Sequence, residues 1–147
     1  MNREEIQQYL PHRAPMLLVD EVRQDADGTV HGRYRIREDE FFCRGHFPGN
    51  PTDPGVILCE IMAQSCFHLM LSDLPGHIPV FRGIDGVKFK NAVHPGDLCE
   101  VTCRVDEKKG SIYFCSASIE VAGRLCCRGK LSIAVIPDPL QTEIASA

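Results

Sequence analysis

The sequence predicts an α+β fold, because one long apolar segment with helix character precedes a series of strand-length segments. The helix is expected from Val56 to about Leu74, where apolar residues occupy nearly every direction around the axis and Pro75-Gly76 closes the run. A helix of this kind is buried. The segments after it carry partly alternating apolar residues and are separated by short turns, which is typical of an antiparallel sheet.

The segments before the long helix predict a short helix and a β-hairpin. Asn2 and Glu5 have the spacing of a capping box, and Pro11 ends the short helix that the box opens. The stretches MLLVDEV and TVHGRYRI, joined by RQDADG, predict two strands around a turn. Residues 41–54 are rich in Gly, Pro and Asn, which indicates an irregular loop leading into the long helix.

Four strands are expected after the long helix, and the whole chain forms one domain. The predicted strands are PVFRGIDGVKF, CEVTCRVDE, SIYFCSASIEV and RLCCRGKLSIAVI, with turns at HPGD, KKG and AGR. The length of 147 residues suits a single domain over 1–147. We expect its core in about 1–136 and a mobile tail over 137–147, where no apolar pattern continues.

Composition excludes several classes of function. A net charge of −4 and the lack of a basic run argue against nucleic-acid binding. The first ten residues are too polar for a signal peptide, and no apolar run reaches the roughly 18 residues of a membrane helix. The eight cysteines include no C-x-x-C pair, so we expect reduced core thiols and no metal site. These features predict a cytoplasmic protein without membrane insertion.

Glu60 is the exceptional residue of the long helix. Glu60, Gln64 and His68 recur every four residues and form one polar stripe on an otherwise apolar helix. A buried carboxylate requires a cationic partner, or its pKa rises until it is protonated at neutral pH and can donate a proton. The alternatives are a stripe that reaches solvent, or a structural ion pair with Arg82 or Arg44.

The loop before the helix adds two further candidate groups. His46 stands in RGHFPGNP, where glycines and prolines can fix an imidazole close to the backbone, a setting that favours acid–base chemistry. The N–H groups at the helix start, around Gly55 and Val56, carry partial positive charge that suits a carbonyl oxygen becoming anionic. A Cys43 or Cys59 nucleophile working with His46 is a weaker alternative. Only the helix start could depress the pKa of a thiol, and Cys59 lies past the first turn, where that effect fades.

The order and spacing of several motifs resemble a known enzyme family. They run from LPHRAPMLLVDEV through FFCRGHFPGNPTDPGVILCEIMAQ to GIDGVKFKNAVHPGD and VAGRLCCRGKLSIAV, which together cover most of the chain. The sequence is similar to the (3R)-hydroxyacyl-[acyl carrier protein] dehydratases of the FabZ type. The resemblance implies a hot-dog fold, in which a curved antiparallel sheet wraps a long helix. It also implies a homodimer whose two sheets run on into each other, and favours a trimer of dimers.

The resemblance further implies an acyl tunnel at the dimer interface, with His46 of one protomer facing Glu60 of the other. His46 would remove the C2 proton, and Glu60 would act as the acid for the departing 3-hydroxyl, directly or through a water. The Gly55 N–H would hold the thioester carbonyl, and Gln64 would orient Glu60 or its water. No cofactor or metal is implied. The related FabA-type isomerising enzymes carry Asp at the position of Glu60, so dehydration without isomerisation is expected.

Other residues have predicted roles that are less specific. Phe47, next to His46, is predicted to be one of the substrate-site residues. Phe81 is the candidate for an aromatic residue that gates the tunnel. Asp53 stands where the family commonly has Met. It is expected to be the N-cap of the long helix, with Pro54 as first residue; the alternative is that it faces the tunnel. His68 is assigned to core or tunnel-end packing. Structural roles are likewise expected for the remaining histidines, which are His12, His31, His77 and His94.

Acyl carrier protein is the expected partner. Because it is acidic, a docking face should gather cations near the tunnel mouth, and the candidates are Arg82, Lys88, Lys90 and Arg44. An acyl thioesterase on the same fold is the main rival function, and a non-catalytic subunit of a heteromeric dehydratase is the second. A third alternative keeps the dehydration chemistry but places it in a specialised lipid or polyketide pathway.

Overall fold

The computed structural model describes residues 1–140 as two short helices, one central helix and six strands. The chain order is α1 (Arg3–Ile6), β1 (Glu21–Gln24), β2 (Val30–Arg35), α2 (Phe41–Arg44), α3 (Gly55–Ser65) with a 3₁₀ continuation (Cys66–Asp73), β3 (His77–Phe89), β4 (Leu98–Lys109), β5 (Ile112–Val121) and β6 (Arg124–Pro137).

The six strands form one antiparallel sheet in the order β1-β2-β4-β5-β6-β3. The helix α3 contacts every strand from β2 to β6, so the sheet wraps around it. This arrangement confirms the α+β hot-dog fold implied by the sequence resemblance. The order also places β3 at one edge of the sheet, where it pairs only with β6.

Close contact between α3 and the sheet depends on a glycine in β2. A Cβ atom at Gly32 would lie 2.8 Å from the Cβ of Ser65, at the end of α3. Real Cβ atoms essentially never approach so closely, so the absence of a side chain at Gly32 lets the helix rest on the strand. Ser65 is 1% exposed, which shows how tightly this contact is closed.

The predicted elements before α3 are present, with shifted boundaries. The capping box is confirmed, since Asn2 Oδ1 accepts from the Glu5 N–H at 3.0 Å and Glu5 Oε1 accepts from the Asn2 N–H at 3.1 Å. The hairpin is confirmed as β1 paired with β2. Its first strand begins only at Glu21, however, because the Leu18 N–H donates to the Gln64 side chain on α3 and not to a neighbouring strand.

The strands predicted after α3 are confirmed within a few residues, as β3 to β6. The predicted mobile tail, 137–147, lies mostly outside the described residues. Within them, β6 includes Pro137 and the Asp138 N–H donates to the Gly76 carbonyl at 3.0 Å.

The start of α3 differs from the prediction. Pro54 occupies the N-cap position and makes no side-chain cap hydrogen bond, so the assignment of Asp53 as N-cap is wrong. The Asp53 N–H donates to the Val93 carbonyl at 2.7 Å, and its side chain is buried in the interior, with the residue 4% exposed. Burial of the side chain therefore replaces capping at this position.

The central helix contradicts the expectation that no apolar run is long enough for a membrane helix. Gly55–Asp73 spans 19 residues and is apolar enough, by length and composition, to cross a membrane. Half of this segment is buried against the sheet, as expected for the core helix of a globular domain, which meets the same criterion. The cysteines match their predicted role, because all eight are buried and free.

Candidate active site

Glu60 lies on α3 with its carboxyl at the wall of a small cavity. Its side chain is 24% exposed, so the expected burial is substantial but incomplete. Glu60 Oε2 accepts a hydrogen bond of 2.7 Å from Gln64 Nε2, and His12 Nε2 lies 3.6 Å from the same oxygen. Within residues 1–140, neither Arg82 nor Arg44 forms an ion pair with Glu60. The proposed structural arginine pair is therefore absent from this part of the chain.

Gln64 fixes the Glu60 carboxyl through a fully used amide. Gln64 is 2% exposed, and its Oε1 accepts from the Leu18 N–H at 2.7 Å. Its Nε2 donates to the Met16 carbonyl at 2.8 Å as well as to Glu60. Because a backbone N–H must face the amide oxygen, the NH₂ group can point only toward Glu60 and Met16.

The cavity beside Glu60 has a volume of about 70 Å³, too small for an acyl chain. Phe81, the predicted gate residue, contributes to its wall from strand β3. Neither His68 nor Asp53 lines this cavity. The lining residues are Leu10, His12, Glu60, Ala63, Gln64, Pro79, Phe81 and Ile133.

His46 lies in the loop after α2 and is held by backbone contacts. Its Nδ1 lies 3.2 Å from the Thr52 carbonyl, and the Thr52 N–H donates to the His46 carbonyl at 2.6 Å. The ring stacks on Phe47, with centroids 4.2 Å apart, and Phe47 is 55% exposed. A carbonyl only accepts, so Nδ1 carries the hydrogen and Nε2 of the neutral ring is available as a base. His46 does not line the Glu60 cavity of its own chain.

The start of α3 carries two N–H groups without a partner in the described residues, those of Gly55 and Val56. The first N–H groups that the Pro54 carbonyl accepts are those of Ile57 and Leu58, at 2.9 and 3.2 Å. A Cβ atom at Gly55 would lie 2.9 Å from two ring carbons of Phe89, so this ring rests on the helix start. Phe89 was missed from sequence, because no local pattern indicates that its ring meets Gly55 or that its strand lies at the edge of the sheet.

Asp53 is close to this helix start but buried away from the Glu60 cavity. Neither carboxyl oxygen has a hydrogen-bond partner among the described residues. Burial, with a contribution from Glu40, raises the pKa of Asp53 from 3.8 to about 7. The pKa of the Cys43 thiol is raised to about 11, first by burial and then by Asp53. Cys59 likewise has a pKa raised by burial, so neither thiol is an activated nucleophile.

The predicted docking cations fall into two groups. Arg82, Lys88 and Lys90 are exposed, and their side chains form no hydrogen bond or ion pair within residues 1–140. Arg128 of β6 pairs with Lys88 in the sheet register and adds a fourth cation of the same kind. Arg44 differs, because its guanidinium donates to the Asp39 carbonyl at 3.3 Å.

His12 is a second residue of the site that sequence reasoning missed. It was assigned a structural role, but it lines the cavity and approaches Glu60. Burial is the main cause that lowers the pKa of His12; Glu60 opposes that shift and Arg13 adds to it. The motif LPHR was part of the resemblance, but its distance of 48 positions from Glu60 gave no local signal of contact.

Comparison with known sequences shows the family of this chain. A family model described as a FabA-like domain matches residues 10–130. This chain belongs to the FabA-like family. The FabA-like chain is 38% identical over 137 residues to 3-hydroxyacyl-[acyl-carrier-protein] dehydratase FabZ of Clostridium perfringens (strain SM101 / Type A), covering 92% of the chain and 99% of the relative. It is 41% identical over 133 residues to the FabZ of Caldicellulosiruptor saccharolyticus, covering 88% and 95%. The predicted dehydratase family is confirmed.

Solved structures similar to this FabA-like chain support the fold alone, because their identities are low. The dehydratase heterocomplex ApeI:P from Xenorhabdus doucetiae matches with a TM-score of 0.75 at 20% identity, covering 95% of both chains. The fluoroacetyl-CoA thioesterase FlK matches with a TM-score of 0.66 at 18% identity, covering 86% of this chain and 96% of FlK.

Proposed function

We propose that this chain dehydrates (3R)-3-hydroxyacyl thioesters of acyl carrier protein to trans-2-enoyl thioesters, in the synthesis of fatty acids or related lipids. The observation that carries the proposal is the Glu60 carboxyl, held by Gln64 at the wall of a cavity in a FabA-like chain. The names of the FabZ relatives state the same activity. The protein is then a lyase, and we place it in the cytoplasm.

The proposed reaction uses one base, one acid and the helix start. His46 Nε2 takes the C2 proton, the electrons of that bond form the C2–C3 double bond, and the C3–O bond breaks. Glu60 gives its proton to the departing hydroxyl, which leaves as water. The Gly55 N–H, with Val56 beside it, stabilises the thioester oxygen as it gains negative charge. Elimination of water involves no net oxidation or reduction, so these groups account for every step.

A complete site is proposed to require two copies of the chain. His46 lies outside the Glu60 cavity of its own chain, and that cavity cannot hold an acyl group. The edge strand β3 exposes Val80, Ile84 and Phe89, at 37%, 49% and 54%. Pairing of two β3 edges would satisfy free backbone groups and cover these side chains. We infer a homodimer with His46 of one copy facing Glu60 of the other; assembly into a trimer of dimers is suggested by the resemblance only.

Acyl carrier protein is the proposed partner, and the unpaired cations near β3 are its proposed docking face. Charge reversal in Lys88→Glu/Lys90→Glu should raise KM for carrier-bound substrate, because an acidic partner loses its attraction, and should spare a short thioester analogue. Arg104→Glu is the matched control, since it reverses an exposed cation on strand β4, which β5 and β6 separate from β3 in the sheet. Equal effects on both substrates would remove the docking proposal.

Two rival functions have specific tests. Thioesterases occur among the structural neighbours, and release of free thiol without enoyl product would favour that activity. A non-catalytic subunit of a heteromeric dehydratase would be inactive when purified alone. One of the similar solved structures is a dehydratase heterocomplex. Family membership and the Glu60–Gln64 pair favour dehydration by this chain itself.

The decisive experiment combines activity with complementation between copies. Purified wild type, His46→Ala and Glu60→Gln are assayed with a (3R)-3-hydroxyacyl carrier protein, recording enoyl formation and thiol release together. Both variants should lose most of their enoyl formation and keep only a residual rate. If the site spans two copies, random mixed dimers of the two variants should recover about a quarter of the wild-type activity, because half of the dimers contain one intact site. No recovery in verified mixed dimers would place His46 and Glu60 of one site in the same chain.

A further inference from the structure

The cavity beside Glu60 contains a titratable side chain, His12, that the proposed reaction does not use. His12 Nε2 lies 3.6 Å from Glu60 Oε2, and its side chain is 27% exposed. Its Nδ1 is buried and has no hydrogen-bond partner in the described residues. A buried polar atom without a partner is unfavourable, so stability does not account for an imidazole at this place.

The backbone around His12 is held by its neighbour Arg13. The Arg13 guanidinium donates to the carbonyls of Leu10, His12 and Gln7 at 2.8, 2.7 and 3.1 Å. The Met16 N–H donates to the Arg13 carbonyl at 2.8 Å. These bonds fix the loop, and with it the position of the imidazole, without any hydrogen bond from the ring itself.

The charge state of His12 matters for the proposed acid. Burial keeps the pKa of His12 below its ordinary value, so the ring is neutral at neutral pH; the charged groups that act on it are Glu60 on α3 and Arg13 on its own loop. A protonated ring would place a positive charge 3.6 Å from the carboxyl that the proposed reaction uses as its acid. A neutral ring can donate through Nε2–H without imposing that charge.

We propose that His12 is a positioning residue for Glu60, which acts with Gln64 to keep Oε2 as the accepting oxygen and leave the acidic proton on Oε1 for the substrate. Gln64 Nε2 already donates to Oε2, and His12 Nε2 faces the same atom. An oxygen that accepts from two N–H groups is not the one that carries the proton. The distance of 3.6 Å is too long for a hydrogen bond, so the proposal requires that this contact shorten when substrate binds. The inference rests on the proposed dehydratase function.

Two substitutions separate positioning from packing. His12→Leu removes the donor and keeps comparable bulk; it should lower kcat about tenfold and leave KM nearly unchanged, because the interaction acts on the acid and not on substrate binding. His12→Gln restores an N–H donor and should retain most of the wild-type kcat. His77→Leu is the control, since His77 is exposed, its one side-chain hydrogen bond within residues 1–140 is with the Pro75 carbonyl, and it does not line the Glu60 cavity. Thermal unfolding of each variant confirms that the fold is intact.

A double-mutant cycle tests whether His12 acts through Glu60. In the Glu60→Gln background, His12→Leu should cause no further loss, since the group that it positions is gone. Equal activity of His12→Leu and wild type, equal losses in His12→Leu and His12→Gln, or an additive loss in the cycle would each overturn the proposal.

A measurement without turnover keeps this inference distinct from the proposed function. Nitrogen-15 NMR of the imidazole should show the neutral Nε2–H tautomer of His12 in the wild-type protein, and a changed Nε2 signal in Glu60→Gln. The Nδ1–H tautomer would overturn the inference even in an active enzyme. Absence of dehydration by wild type, with the Nε2–H tautomer present, would instead count against the proposed function.

Discussion

Asp53 makes the stability of this protein depend on pH, and the substitution Asp53→Asn tests the reasoning. Asp53 is 4% exposed, neither of its carboxyl oxygens has a partner among the described residues, and its pKa is raised from 3.8 to about 7. The folded chain therefore holds the Asp53 proton over a range in which the unfolded chain has lost it. Stability from this group is full below the unfolded pKa and falls as the pH rises through the folded pKa.

The size of the effect follows from the shift in pKa. A shift of about three units at 1.36 kcal/mol each corresponds to about 4 kcal/mol between acid and alkaline conditions. Asparagine does not titrate, so Asp53→Asn should gain about 4 kcal/mol in unfolding free energy relative to wild type when the pH rises from about 4 to 8. Any fixed cost of burying an amide is the same at both pH values and cancels in this comparison.

Urea unfolding at one protein concentration, at pH 4, 6 and 8, measures the difference. Holding the concentration constant matters because assembly of copies contributes to apparent stability. Asp85→Asn is the matched control, since Asp85 is exposed on β3 and its substitution should change stability by no more than about 0.5 kcal/mol. A difference between Asp53→Asn and wild type that does not grow with pH would refute the argument.

Three further substitutions test the contacts around the site and α3. Gly55→Ala should lower the free energy of unfolding by about 1 kcal/mol and also lower kcat, because the added Cβ displaces the Phe89 ring from the helix start. Adding Phe89→Ala should restore the stability, which urea unfolding would measure. Gln64→Leu should lower the unfolding free energy by about 3 kcal/mol, since buried partners at Leu18 and Met16 lose their bonds, and an unchanged denaturation midpoint would contradict it. Gly32→Ala should lower the free energy of unfolding by about 2 kcal/mol, because the added Cβ clashes with Ser65. Adding Ser65→Gly should recover most of that loss, as measured by thermal unfolding.

The predicted elements match the structure because their signals are local. The apolar run of α3 and the alternating residues of β3 to β6 record how each segment is buried, and both can be counted along the chain. Glu60 can also be recognised from sequence alone, because it is a charged residue in an otherwise apolar helix. Motif order added the family, which the comparison with known sequences confirms.

Asp53 shows where local reasoning was wrong. An acidic residue before Pro-Gly fits an N-cap by sequence, but capping needs a side chain that turns toward the helix end. The backbone bond from Asp53 to Val93, far along the chain, accompanies a carboxyl turned into the interior. No local pattern contains that information.

By itself, the sequence determined the fold class, the positions of the helix and strands, the family, and Glu60 as the unusual acid, because each depends on residue type and short-range periodicity. Only the tertiary structure decided which distant residues meet: His12 beside Glu60, Phe89 on Gly55, and β3 at the sheet edge. These contacts join segments far apart in the chain. They form when the sheet packs around the helix, and the stability of that packing depends on interactions of the whole chain and not of any single segment.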